Sequence, residues 1–490
     1  MRILICAAEV APFSKTGGLG DVAGSLPPNL TALGHDVRIV TPMHGSLDFS
    51  RTIKLDKPVI SLGVPMGHGE EWCAVHETRL PDGKTPVYLL EHQRYWDRPG
   101  LYGAGGKDFP DNAERFAFLS KAALQVCKAL EWSPNVVHAH DWQTGLMPVL
   151  LRAHYGGDPI LGGTASVFTI HNVGYQGEFY KEYLPSTGLG WEWFTPGGVE
   201  FHDRLNYLKA GIVFADKVST VSQRYALEIT TPEGGFGLDG VLRSRSADLV
   251  GIVNGLDYDE WNPETDSRIP ATFDVDDLAG KAICKESLQE EYGLPVRDDL
   301  PIVGMVTRLA YQKGIDVLAA ALPAILRMDA QFVVLGSGEV WANFVYGDLP
   351  NRYPRKAGSF IGFDETRAHR VYAGSDLFLM PSRYEPCGLG QLSAKRYGAL
   401  PIVRRTGGLA ETVTSYSQKD GGGDGFAFDD LTPLAIANTV GWAVSTWYDR
   451  SDHFSAMRDR GMRDRFTWER SARQYVDLYN WAVEKKHAGG

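Results

Sequence analysis

K-T-G-G-L-G-D-V-A-G, residues 15–24, follows a short apolar run at residues 3–7, and its reading decides what kind of α/β protein this is. Gly18, Gly20 and Ala23 satisfy the dinucleotide pattern G-x-G-x-x-G/A, which seats a pyrophosphate at the start of a helix. In that fold the first glycine directly follows the first strand, and a carboxylate for the ribose stands about 20 residues further on. Here about ten residues separate Ala7 from Gly17, and the second apolar run, 37–41, ends at Thr41-Pro42 with no carboxylate. The match is accidental, and no nicotinamide or flavin cofactor is expected. A long loop with glycines and a lysine has another use, since backbone N–H groups and one ammonium can approach an anion closely there.

Outward from this loop, short β-rich runs at 3–7, 37–41, 87–91, 136–139, 166–170 and 217–221 alternate with helical patterns such as 116–130. That alternation is the grammar of a parallel sheet. A second series follows at 302–307, 332–336, 359–362, 377–381 and 402–405. Between its first two runs Ile315, Leu318, Ala319, Leu322, Ile325 and Leu326 form one helical stripe. Two doubly wound domains are expected, joined near the Asn/Gly/Asp/Pro-rich stretch 255–263.

The composition fits two such cores: 490 residues, 43% hydrophobic and 22% charged. A net charge of −11 disfavours nucleic acid or an anionic membrane as partner, so a phosphate site must be a local cluster of positive groups. Five scattered cysteines without a C-x-x-C spacing read as reduced thiols in the cytoplasm. No run approaches the ~18 apolar residues of a membrane span. The opening M-R-I-L-I-C reads as a first strand, not a leader.

Open α/β sheets bind ligands beyond the carboxyl ends of their strands. The residues that fall there are His138, His140 and Asp141; His171 and Asn172; Arg308 and Lys313; Gly336-Ser337-Gly338; and Glu385 to Gly390. The expected site is a cleft between the two domains. His138 and His140 would share a strand face, but no further ligand stands at a metal spacing, so no metal is expected. Asp274-Val275-Asp276 precedes the helical pattern 278–292 and reads as capping. No G-x-S-x-G or H-E-x-x-H occurs. Tyr175, Tyr180, Trp191 and Trp193 crowd a Gly/Pro-rich region where flat rings would suit sugar faces.

Seven ordered blocks then carry a resemblance. They are K-T-G-G-L-G-D-V (15–22), H-A-H-D-W-Q-T-G-L (138–146), T-I-H-N-V-G-Y-Q-G (169–177), G-I-V-N-G-L-D (251–257), T-R-L-A-Y-Q-K-G-I-D (307–316), S-R-Y-E-P-C-G-L-G-Q-L (382–392) and R-R-T-G-G-L-A-E-T-V (404–413). Together they resemble the bacterial glycogen synthases and related plant starch synthases, retaining glycosyltransferases of the GT-B architecture. The resemblance implies two Rossmann-like domains with the active site in the cleft between them: 1–255 on the acceptor side with the donor loop, 256–462 for the nucleotide sugar, and a helix within 463–490 crossing back. It implies transfer of glucose from ADP-glucose to the non-reducing 4-hydroxyl of an α-1,4-glucan, with release of ADP and no cofactor.

Residue by residue, the resemblance makes Arg308 and Lys313 the phosphate clamp, met by Lys15, Gly17 and Gly18 and by N–H groups near Leu389 and Gly390. Glu385 is the carboxylate near the transferred glucose, with the backbone of Cys387 and Gly388 on its hydroxyls. His171 stands by the anomeric centre; Asp141, Asn172 and Asn254 line the sugar site; Phe363 stacks on adenine. Two departures are visible. Ser393 replaces a second glutamate found in related retaining enzymes, and Gly390 stands where the family often has threonine. Covalent and front-face retention both stay open, as does oligomeric state. The rivals are a UDP-glucose enzyme, a silent glucan-binding protein and a phosphorylase, although no pyridoxal-phosphate lysine is identifiable.

Overall fold

In the first half of the chain the apolar runs pair in parallel around Arg2–Cys6, whose Ile3, Leu4, Ile5 and Cys6 are all buried. The computed structural model describes residues 1–45, 57–67 and 69–489. It divides into two units, Met1–Val253 with Trp468–Gly490, and Asn254–Thr467.

Among the described residues, the first unit has a nine-stranded sheet. Its order is Leu249–Gly251, Lys217–Thr220, Ala165–Ile170, Val136–His140, Arg2–Cys6, Asp36–Pro42, Pro86–Glu91, Gly69–Arg79 and Ile60–Met66. The first seven are mutually parallel, and the last two form an antiparallel edge. That edge lies outside the runs read from sequence, because I-S-L-G-V-P-M alternates: Leu62, Val64 and Met66 face inward while their neighbours do not. A strand buried on one face shows such a period of two, not a continuous apolar run. Helix Gly18–Ala32 lays Val22, Leu26 and Leu30 on the sheet, and helix Trp468–Ala488 adds Tyr475, Leu478, Tyr479 and Ala482 to the same core.

The second unit has a parallel sheet ordered Ala357–Ile361, Gln331–Gly336, Ile302–Val306, Leu377–Met380, Leu400–Arg404 and Phe426–Phe428. Helix Ile315–Ile325 covers it with Ile315, Leu318, Leu322 and Ile325 as the periodicity predicts. Ala321, not Ala319, completes the buried stripe.

The chain leaves the first unit at Val253 and returns at Trp468, whereas the sequence placed these passages at 255/256 and 462/463. Asn254 and Gly255 also belong to the second unit, and 463–467 stay with it because their bonds do. Leu256 N donates to Phe466 O at 2.8 Å, Phe466 N donates to the Tyr258 hydroxyl at 2.9 Å, and Lys395 Nζ lies 2.7 Å from Asp464. Asp274 does not cap the helix Ala279–Glu291, whose N-cap position is Leu278. It turns the chain ahead of that helix by accepting from Asp276 N and Asp277 N at 2.7 and 2.8 Å. Among the described residues no helix is long and apolar enough to cross a membrane.

Candidate active site

In the second unit the candidate residues follow the strands Ile302–Val306 and Leu377–Met380, which are neighbours in the sheet. Between Lys313 and helix Ile315–Ile325 stands Gly314, in the left-handed region at φ 69°, where a Cβ would meet Pro381 O at 2.0 Å. Only glycine permits both the conformation and the approach. This close packing brings the turn Tyr311–Lys313 against the segment after Pro381, where Arg383 N donates to Gln312 O at 2.9 Å. Lys313 Nζ thereby lies 2.8 and 2.6 Å from the two carboxylate oxygens of Glu385. Ser382 Oγ donates to Glu385 Oε2 at 2.8 Å. Both charged side chains are largely withdrawn from solvent, at 16% and 8% exposure.

The loop carrying Glu385 is held from behind. Gly408 N donates to Glu385 O at 3.1 Å, and Cβ atoms on Gly407 and Gly408 would stand 2.0 Å from Glu385 O and Cys387 O. Gln391 Nε2 donates to Cys387 O, Gly388 O and Thr412 Oγ1 at 3.2, 2.9 and 2.9 Å. Arg383 forms a two-pronged ion pair with Asp316 at 2.6 and 2.7 Å and covers the Tyr311 ring at 3.5 Å. The Cys387 and Gly388 carbonyls are thus engaged, which leaves the N–H side of this loop for a ligand. Burial pushes the Cys387 thiol up to about 12, so it stays protonated and is no nucleophile.

Leu389 and Gly390 open the helix Gly390–Arg396, and the first N–H groups of a helix have no intrahelical acceptor. The Arg308 side chain is exposed and, among the described residues, makes no ion pair or hydrogen bond. Phe363 is 90% exposed. Asn254 is buried, yet its Oδ1 is enclosed without a partner.

In the first unit Val136–His140 and Ala165–Ile170 end side by side, with His140 paired to Thr169. Asp141 sits at φ 56°, a conformation that costs a non-glycine residue of order 1–3 kcal/mol. There its N donates to Thr169 O at 2.9 Å and its Oδ1 accepts His171 N at 2.7 Å. Burial raises the Asp141 carboxyl to about 7, although hydrogen bonds from His171 and Asn172 oppose the shift. His140 Nδ1 lies 2.9 Å from His171 Nε2, and His138 lies 2.8 Å from the Tyr479 hydroxyl and 2.6 Å from Thr169 Oγ1. Burial lowers His138 and His171 to about 3 and His140 well below its ordinary value, so the three rings are neutral. His138 and His140 are core histidines on a shared strand. Asn172 Oδ1 accepts Gly174 N at 2.9 Å.

Lys15 Nζ lies 2.6 Å from Asp21. Glu9, buried at the end of the first strand, accepts from Thr16 N, Thr16 Oγ1 and the Tyr102 hydroxyl and so anchors the Lys15 loop. Cβ atoms on Gly17 or Gly18 would meet nothing within 4 Å. Packing does not require glycine at either position.

The structure thus gathers Arg308, Lys313, Glu385, Cys387, Gly388, Leu389 and Gly390 at the strand ends of the second unit. It gathers Asp141, His171 and Asn172 at those of the first. Tyr175, Tyr180 and Trp191 are exposed, whereas Trp193 packs edge-on against Phe214 at 5.4 Å. Sequence reasoning missed Glu9, Ser382, Gln391, Gly407 and Gly408. The adjacent glycines of R-R-T-G-G-L were a visible signal of close backbone approach.

Comparison with known proteins bears on this arrangement. The starch synthase catalytic domain family matches residues 2–244, and the glycosyl transferases group 1 family matches 289–456. Glycogen synthase 1 of Geobacter metallireducens is 48% identical over 487 residues, 99% of this chain and 97% of that one. A glycogen synthase of Anaeromyxobacter dehalogenans is 50% identical over 98% of this chain and 99% of its own. The catalytic domain of starch synthase IV from Arabidopsis thaliana, solved with ADP and acarbose, matches with a TM-score of 0.92 at 32% identity, covering 99% of both chains.

Proposed function

The chain belongs to the family of bacterial glycogen synthases and plant starch synthases, with the GT-B fold, and we propose on that footing that it elongates an α-1,4-glucan with glucose from ADP-glucose. The transfer is retaining, the new bond forms at the non-reducing 4-hydroxyl, and ADP leaves.

The observation that carries this reading is the Lys313–Glu385 pair with the unpartnered Arg308 guanidinium in the same strand-end region of an acidic protein. As the anomeric carbon becomes oxocarbenium-like, the departing β-phosphate oxygen gains negative charge. Fixed cations stabilise that charge best where water is excluded. Arg308 offers a fork to two phosphate oxygens and Lys313 a point charge. The N–H groups at Leu389 and Gly390 add donors, and Lys15 with the side-chain-free Gly17 and Gly18 serves the same diphosphate. With the charge met by these groups, the reaction needs no metal.

Glu385 faces the transferred glucose and stabilises positive charge at its anomeric carbon, while the Cys387 and Gly388 N–H groups hold its hydroxyls. His171, neutral at physiological pH, stands by the anomeric centre. Asp141, Asn172 and Asn254 bind sugar hydroxyls. Phe363 stacks on adenine, which would cover its exposed ring. Five buried, unpaired cysteines suit a reducing compartment, which supports a cytoplasmic location.

Incubation with glycogen and ADP-glucose labelled in the sugar tests this. Label should enter the polymer and return as maltose on β-amylase digestion; unlabelled glycogen would overturn the reading.

A further inference from the structure

Gly390 opens its helix without a side chain, and its packing points to a group that takes the vacant role. A Cβ built on Gly390 meets the Tyr372 hydroxyl oxygen at 3.2 Å, Phe378 at 3.4 Å and Met380 at 3.5 Å. Tyr372 comes from the helix Glu365–Gly374. Its ring packs on Phe378 at 4.7 Å between centroids and stands edge-on to Trp261 at 5.5 Å, so the residue is only 5% exposed.

A buried tyrosine ordinarily gives its O–H to a protein acceptor. Among the described residues the Tyr372 hydroxyl forms no hydrogen bond, yet it is not one of the fully enclosed polar atoms. It lies beside Gly390, with its ring fixed by aromatic neighbours. Burial and the Glu385 carboxylate both raise its pKa, so the group remains a protonated donor.

We propose that the Tyr372 hydroxyl donates a hydrogen bond to the diphosphate of the nucleotide sugar, supplying from the neighbouring helix what Gly390 cannot supply from its own. This rests on the ADP-glucose reading above and adds to it a donor-binding residue. A threonine at 390 would set its Cβ 3.2 Å from the Tyr372 oxygen, so the tyrosine hydroxyl and a side chain at 390 would be direct neighbours.

Tyr372→Phe keeps the ring and removes only the hydroxyl. Calorimetric binding of ADP and of adenosine to the full-length protein, together with steady-state rates, reads the effect. A hydrogen bond to a charged group predicts ADP affinity weakened ~10–100-fold and the KM for ADP-glucose raised by a similar factor. Adenosine affinity should stay unchanged and kcat should stay within about threefold, because the phosphates alone see the hydroxyl. Unchanged ADP affinity, or equal weakening of ADP and adenosine, would overturn the assignment of Tyr372 while leaving the donor reading intact. A wild-type protein that binds no ADP would overturn both.

Discussion

Lys313 Nζ lies 2.6 Å from Glu385 Oε2, joining residues 72 positions apart in the chain. Gly314 brings the lysine turn onto the strand end, and Gly407 and Gly408 let the glutamate loop settle behind it. The pair has two consequences, one for chemistry and one for stability.

For chemistry, the proposed roles make Lys313 a cation on the leaving group, lost in Lys313→Ala, and Glu385 the carboxylate facing the glucose, lost in Glu385→Gln. Each should lower kcat by ~10²–10³-fold, the loss typical when one fixed electrostatic group is deleted from an active site. For stability, either substitution strands the other buried charge, the carboxylate in Lys313→Ala and the ammonium in Glu385→Gln, at a cost of ~3–5 kcal/mol. Urea denaturation should therefore find both single variants destabilised, and the double variant Lys313→Ala/Glu385→Gln less destabilised than the sum of the two. Near-normal kcat in either variant would remove its assigned role.

The glycines of residues 15–24 separate binding from packing. A Cβ on Gly24 would lie 2.6 Å from Ala11 O, so Gly24→Ala should cost ~1–3 kcal/mol by overpacking. Gly18 has open space, and alanine there should leave stability unchanged or raise it by ~0.4–1 kcal/mol. If the loop meets the diphosphate, Gly18→Ala should nonetheless raise the KM for ADP-glucose severalfold. A donor KM equal to that of the wild type would mean that nothing approaches the loop closely.

Asp141 gives a pH prediction whose sign follows from its carboxyl, raised to about 7 in the fold from an ordinary 3.8. Between those values the folded state binds more protons than the unfolded one. This group's contribution is fully present below 3.8 and is lost as pH rises through about 7. His138 and His171, lowered to about 3, act oppositely, since their contribution is full above 6.5 and falls as pH drops below it. Asp141→Asn keeps an oxygen for His171 N and cannot ionise. Thermal melts should find wild-type stability declining from pH 6 to 8 relative to this variant. Parallel curves over that window would contradict the assigned shift.

Much of the fold, and the position of the candidate residues at the strand ends, was legible before the structure. Parallel strands announce themselves as continuous apolar runs, and the residues just beyond them, Asp141, His171, Arg308 and Glu385 among them, follow from where open sheets bind ligands. The antiparallel edge Gly69–Arg79 with Ile60–Met66 was not legible as a continuous run, because alternation replaces it. Glu9, Gln391 and Tyr372 were hidden for another reason. Each matters through a partner brought near by the fold: Thr16 and Tyr102 for Glu9, the Cys387 and Gly388 carbonyls for Gln391, and Gly390 for Tyr372. No local pattern marks such residues. The D-x-D at 274–276 shows the converse, where a recognisable pattern is a turn closed by backbone N–H groups.

The most direct measurement is ADP release in the presence and absence of glycogen, with ADP-glucose and UDP-glucose compared at equal concentration. Glycogen-dependent release of ADP, with kcat/KM for ADP-glucose well above that for UDP-glucose, is the predicted result. No nucleotide release when glycogen is added, or a preference for UDP-glucose, would contradict the assignment.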